Sequence, residues 1–181
     1  MNVIICGLAS TGKSTLAKLV AKHFKMEYIS SSTLLKGMLG YDYRKQKDFW
    51  DTKGLYLSNE RNTKTVDKEL DKIQLKLAKE GNKVFDSWAM GWLYKGKAIK
   101  ILISASEKVR AERMSKRDSL SKAECIRSLK KRDKENGVFF KKLYSIDILN
   151  DIRPFDLIIN TDELNEKEVY NAVKDYIKNK L

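Results

Sequence analysis

The chain has 181 residues, 42% hydrophobic and 34% charged, with one proline and nine glycines; this suits one folded domain and excludes collagen-like, mucin-like and proline-rich low-complexity classes. Its 37 basic residues outnumber 24 acidic ones, and the formal net charge of +13 favours phosphate-bearing partners of any size, from nucleotides to RNA. Cys6 and Cys125 lie far apart with no paired Cys/His spacing, which excludes a disulfide framework and a structural zinc site and marks both as reduced thiols.

The opening apolar run, residues 1–8, is too short to span a membrane and has no basic segment before it, so the expected address is cytoplasmic. Within it, residues 1–6 form a Val- and Ile-rich stretch that stops at Gly7, the pattern of a buried parallel strand. Leu16, Ala17, Leu19, Val20 and Phe24 then recur at helical spacing, which predicts a helix over 13–24. Tyr28 and Ile29 suggest a second short strand, and residues 30–33 offer N-caps for a helix through Leu39. Residues 40–62 show no clear period; Tyr41, Tyr43, Phe49, Trp50 and Tyr56 mix there with charges, and one short helix is expected.

Residues 66–80 are amphipathic again and end at Gly81-Asn82. Residues 83–86 form a strand that closes on an acid, Asp86. A strand over 99–104, a helix over 107–117, one or two helices over 122–144, a strand over 157–160 and a helix over 166–178 complete the map. Strands alternating with helices predict a parallel sheet covered on both faces, with ligands bound beyond the carboxyl ends of the strands.

Gly7-Leu8-Ala9-Ser10-Thr11-Gly12-Lys13-Ser14, followed by Thr15, matches GxxxxGK[ST] between a strand and a helix. The glycines let the loop wrap closely, its N–H groups and the helix N-terminus face anionic oxygen, and Lys13 reaches the outer phosphates. Ser14 is the expected hydroxyl ligand of Mg²⁺. Asp86 is the carboxylate best placed by sequence to assist it; the alternative is an Asp that caps the following loop. Residues 107–142 hold 13 basic and 6 acidic residues, and five of the chain's eight arginines fall there. Arg110, Arg113 and Arg117 step along one helical face, with Arg127 and Arg132 following; they are either phosphate-closing arginines or a solvated basic face.

With these features in place, the chain resembles the nucleoside monophosphate kinases, and most closely the cytidylate kinases of archaeal type. The likeness runs through residues 66–82, through Asp86-Ser87-Trp88-Ala89-Met90-Gly91-Trp92, through residues 109–118 and 131–133, and through residues 144–147 and 155–161. It implies a P-loop kinase fold of α/β class: a five-stranded parallel sheet with helices on both faces, an acceptor-binding helical insertion over about residues 31–82, and a helical lid over about residues 113–137, all in one domain, 1–181. It also implies transfer of the γ-phosphoryl group of ATP, with Mg²⁺, to a nucleoside monophosphate, CMP or dCMP first.

Under that likeness residues 7–15 bind the donor phosphates, and Lys13, Arg113, Arg117 and Arg132 act on the phosphoryl group in flight. Ser31, Lys36, Asp67, Asp71, Trp88 and Asp147 are the acceptor-side candidates. Asp67 and Asp71 also fit a solvated helical face, Asp147 a helix cap, and Trp88 either a base-stacking ring or a core residue. The chain departs from the family at Trp88, where the motif carries a phosphate-gripping arginine, and at Gly137-Val138-Phe139, where lids often place more arginines. Nucleotides are the expected partners, with no membrane, as a monomer or homodimer. Three other readings stay open: a kinase of another small acceptor, suggested by Trp88, Tyr43 and Trp50; an RNA- or ribosome-associated ATPase, suggested by the charge; and a noncatalytic nucleotide sensor, against which Lys13, Ser14 and Asp86 weigh.

Overall fold

Side-chain alternation within the first five-residue strand sets the layers of the molecule. A computed structural model describes residues 1–40 and 64–180. In it β1 (Asn2–Cys6) is buried throughout, and successive side chains point to opposite faces. Val3 and Ile5 join one apolar cluster; Ile4 and Cys6 join another. The remaining strands are β2 (Glu27–Ser30), β3 (Lys83–Ser87), β4 (Ala98–Ser104) and β5 (Leu157–Asn160). All pairs are parallel and the order is β2-β3-β1-β4-β5.

The helices are α1 (Lys13–His23), α2 (Ser31–Met38), α3 (Lys64–Glu80), α4 (Met90–Leu93), α5 (Glu107–Asp118), α6 (Lys122–Tyr144) and α7 (Glu166–Lys178). Leu16, Ala17 and Val20 of α1 meet Val169, Val173 and Ile177 of α7 over the face that carries Val3 and Ile5. Ala78 of α3, Met90 and Trp92 of α4 and Phe140 of α6 cover the other face. A third, small core of Ala111, Met114, Cys125 and Leu129 joins α5 to α6.

Local signals explain the element ends. Ser106 caps α5 by accepting from the Val109 N–H. Ser121 with Glu124, and Asn165 with Glu168, form reciprocal capping boxes at the starts of α6 and α7. Residues 122–144 are one helix of 23 residues, so Gly137 continues it rather than dividing it. The short helix expected within residues 40–62, with Tyr41, Tyr43, Phe49, Trp50 and Tyr56, lies outside the described residues. Among the described residues no helix is long and apolar enough to cross a membrane.

Gly91 is a packing requirement that composition does not reveal. A Cβ there would sit 2.6 Å from Cε1 of Phe155 and 3.1 Å from Sγ of Cys6. Gly91→Ala should cost about 1–3 kcal/mol through overpacking, read as a lower urea midpoint at unchanged m-value.

Candidate active site

The phosphate loop begins where β1 ends. A Cβ on Gly7, whose φ is +157°, would lie 2.4 Å from the Ile103 carbonyl oxygen, so only glycine lets the chain turn this close to β4. Ser10, with φ +62°, holds a left-handed conformation rare outside glycine. Thr11 Oγ1 donates to the Leu8 carbonyl at 3.0 Å and ties the loop across itself. Two arginines grip it from outside: Arg110 Nη1 donates to the Ala9 carbonyl at 3.4 Å, and Arg113 Nη1 to the Thr11 carbonyl at 3.2 Å. In a trans peptide the N–H points opposite the C=O, so the N–H groups of Ser10 and Gly12 are directed away from these arginines. Gly12 opens α1 with no side-chain cap. The first-turn N–H groups and the helix dipole together form an anion site.

Strand order then brings the acid to the lysine. β3 lies beside β1, Ile5 opposite Asp86, and Lys13 Nζ sits 2.9 Å from Asp86 Oδ1. Tyr28, on the next strand, donates its hydroxyl to Asp86 Oδ2 at 2.9 Å. Burial by itself would raise the Asp86 carboxyl; the Lys13 charge and hydrogen bonds from Lys13, Ser14 and Tyr28 outweigh it and hold the group below its ordinary 3.8. Burial, then the Asp86 charge and hydrogen bond, push the Tyr28 phenol well up, so it remains a donor. A carboxylate and a hydroxyl, both hard oxygen donors, thus meet at Ser14 and Asp86. Among the described residues there is no cluster of three or more His, Cys, Asp or Glu that could hold an ion. This fits Mg²⁺ held by one or two protein oxygens, water and substrate phosphates better than an all-protein cage.

A cleft of about 550 Å³ opens from this point. Its lining includes Ala9, Ser10, Lys13 and Ser14 of the loop, Asp86 and Trp88 at the end of β3, Arg117 and Arg132, and Ser31, Asp67, Asp71 and Gln74. Asp67 and Asp71 are 2% and 7% exposed, which corrects the solvated-face reading of this pair. A polar chain supports Asp71: Ser31 Oγ donates to Gln74 Oε1, Gln74 Nε2 to Asp71 Oδ1, and the Tyr144 hydroxyl to Asp71 Oδ2. Burial, then Asp71 and Asp67, push the Tyr144 phenol well up.

A second cavity, about 630 Å³, lies on the other side of the loop, bordered by Thr11, Gly12, Thr15, Arg113, Arg117, Leu164 and Asn165. Arg117 borders both and pairs in bidentate fashion with Asp118. Arg113 departs from the role expected of it: its guanidinium bonds Thr11 and both the hydroxyl and carbonyl of Thr161, which holds the loop rather than lining the cleft. Asp147 also departs from expectation. It accepts from the N–H groups of Leu149 and Asn150 and caps a turn outside the cleft. Lys36 is half-buried on α2 and is not part of the cleft wall. Gly7 and Leu8 form the back of the loop, against a small pocket shared with Trp88 and Trp92.

Tyr28, Gln74 and Tyr144 are not among the sequence candidates, and Arg110, read as phosphate-closing or solvated, is instead buried against Asp133 and the Ala9 carbonyl. Gln74 carries a usable signal, since it lies three residues from Asp71 and seven from Asp67 on one helical face. Tyr28 and Tyr144 reach their acids from distant segments, and no local spacing announces them.

Residues 2–163 match the model of the cytidylate kinase-like family. The chain belongs to that family. It is 32% identical over 172 residues to the cytidylate kinase of Pyrococcus horikoshii, covering 95% of this chain and 85% of that one. To the cytidylate kinase of Methanocaldococcus jannaschii it is 28% identical over 186 residues, covering 99% and 98%. The shikimate kinase of Bacteroides thetaiotaomicron shares the fold at TM-score 0.63 and 12% identity, covering 98% of this chain and 96% of that one. The P-loop kinase fold and a nucleoside monophosphate kinase activity are therefore those of this cytidylate kinase-like chain.

Proposed function

We propose that this kinase transfers the γ-phosphoryl group of ATP to CMP or dCMP, with Mg²⁺ held between Ser14, Asp86 and the donor phosphates. The observation that carries the acceptor assignment is the polarity of the cleft. Cations of the loop and of α5 and α6 and the buried carboxylates Asp67 and Asp71 line the same cleft. A nucleotide laid along it puts its phosphate on the cations and an amino-bearing base on the carboxylates, which is complementary to cytosine and leaves the carbonyl of uracil opposite like polarity.

The attacking acceptor oxygen is already anionic, so transfer needs no general base. Asp86 would serve poorly as one, being held ionised beside Lys13. Ser14 and Asp86 would hold Mg²⁺, which would supply charge neutralisation on the donor phosphates. Lys13 and the loop amides hold the donor, and Arg117 and Arg132 stabilise charge on the group in flight. The second cavity, with Arg113 at its wall, takes the donor base and ribose. Reduced buried cysteines and freely diffusing nucleotide substrates fit a cytoplasmic address.

The test is incubation with ATP and Mg²⁺ against CMP, dCMP, UMP, AMP, GMP and no acceptor, with the products separated by chromatography. CDP and dCDP should form fastest. Lys13-dependent ATP hydrolysis to ADP and phosphate, with no CDP, dCDP, UDP or GDP formed and no excess of ADP over phosphate in the AMP arm, would overturn the assignment. Asp71→Asn should raise the KM for CMP about tenfold, the worth of one charge-assisted hydrogen bond, and leave the KM for ATP unchanged.

A further inference from the structure

Position 88 carries no charge, yet it lies two residues beyond Asp86, on the wall of the cleft where the acceptor phosphate is expected. The Arg132 guanidinium carbon stands 5.7 Å from the centroid of the Trp88 ring. We propose that Trp88 is a positioning residue for phosphoryl transfer: its ring is a fixed platform that holds the Arg132 guanidinium in the reaction cleft.

Both partners are anchored. Trp88 follows β3 directly, and Ser87 Oγ accepts from the N–H groups of Ala89 and Met90 at 3.3 Å each, which sets the turn that carries the ring. The ring borders the cleft on one side and the small apolar pocket with Trp92, Ile148 and Leu149 on the other. On α6, the neighbour of Arg132 is Asp133, whose carboxylate accepts from Arg110 Nη2 at 2.6 Å. Arg110 also donates to the Ala9 carbonyl of the phosphate loop, so the turn of α6 bearing Arg132 is tied to the loop itself. That tie is only partly satisfied: Arg110 Nε and Asp133 Oδ1 are buried without a hydrogen bond. The same turn is thus held from the loop side by an ion pair and from the acceptor side by an aromatic face.

A platform is needed because of the cleft's own charges. A long guanidinium side chain has many rotamers, and Asp67, Asp71 and Asp86 all line the cavity into which it projects. An aromatic face attracts a cation without neutralising it, whereas a carboxylate partner would compete with phosphate for it. Trp88 therefore narrows the rotamers open to the Arg132 guanidinium at the wall of the cleft.

This inference rests on the cleft being the site of transfer, and its test separates the two claims. Trp88→Leu, Trp88→Phe, Arg132→Ala and the Trp88→Leu/Arg132→Ala double variant are compared for kcat and KM with CMP and ATP. In parallel, the Arg132 Nε–H resonance is assigned in wild type by its loss in Arg132→Ala. The platform predicts an Arg132 resonance shifted upfield by the ring current, returned to ordinary position in Trp88→Leu and kept shifted in Trp88→Phe. It predicts a kcat loss of about tenfold in Trp88→Leu, on the scale of a cation–π contact in a desolvated site. Trp88→Phe should recover most of that loss, and Trp88→Leu should add nothing further once Arg132 is alanine. Additive losses, or a rise in the KM for CMP at unchanged kcat, as direct stacking on the base would give, would overturn it. An unshifted resonance in an active enzyme overturns it even if Trp88→Leu fails to fold. A shifted resonance in a protein that phosphorylates no acceptor overturns the reading of the cleft, and the catalytic role of the platform with it.

Discussion

Lys13→Ala should lower turnover at least about a hundredfold, the scale of one lost charge contact to a transferring group. The structure adds a second consequence. Lys13 and Asp86 are 11% and 4% exposed in their side chains and stand 2.9 Å apart, so deleting the lysine leaves a buried carboxylate without its counterion. Burial is then opposed only by Ser14 and Tyr28, and the Asp86 carboxyl must rise. Breaking a buried pair from one side costs about 3–5 kcal/mol, a large share of a domain's net stability. Loss of activity by unfolding and by chemistry are separated with Lys13→Ala/Asp86→Asn. The double variant removes the stranded charge and should recover much of the thermal stability while remaining inactive. Near-wild-type turnover in a folded Lys13→Ala protein would refute the phosphate-loop mechanism.

Asp86→Asn is the second large effect. The amide keeps the shape and can still accept from the Tyr28 hydroxyl, but it no longer offers an anionic oxygen beside Ser14. Turnover should fall about a hundredfold or more, and the Mg²⁺ concentration for half-maximal rate should rise. The same variant reports on pH. The folded carboxyl lies below its ordinary 3.8, so its stabilisation is fully present above that value and is lost as pH falls through the lower folded value. Urea unfolding at pH 7 should show wild type more stable than Asp86→Asn, and the gap should close on acidification below about pH 4. A gap that widened in acid would mean that the carboxyl is raised, and that burial outweighs Lys13.

Burial patterns of the helices were legible to within a few residues, because a 3.6-residue period is a local property of the chain. What the arginines do was not. Arg110, Arg113 and Arg117 share a helical face in the sequence, yet Arg110 is buried against Asp133 and Ala9, Arg113 holds Thr11 and Thr161, and Arg117 stands between the two cavities. Spacing places side chains on a face; the packing of α5 against the loop and α6 distributes them. Asp67 and Asp71 show the same limit, since an i,i+4 pair of acids has one spacing whether it meets solvent or a cleft.

The sequence by itself determined the phosphate loop with its Lys13 and Ser14, and the alternation of strands and helices, because each rests on residue types at short, fixed spacing; for Asp86 it left a loop cap as the alternative. Only the tertiary structure decided that β3 lies beside β1, which brings Asp86 to Lys13 across 73 residues of chain. It alone brought Tyr144 to Asp71, turned Asp147 into a turn cap, and set Trp88 beneath Arg132. These are contacts between segments distant in sequence, set by strand order and helix packing, and no local period encodes them.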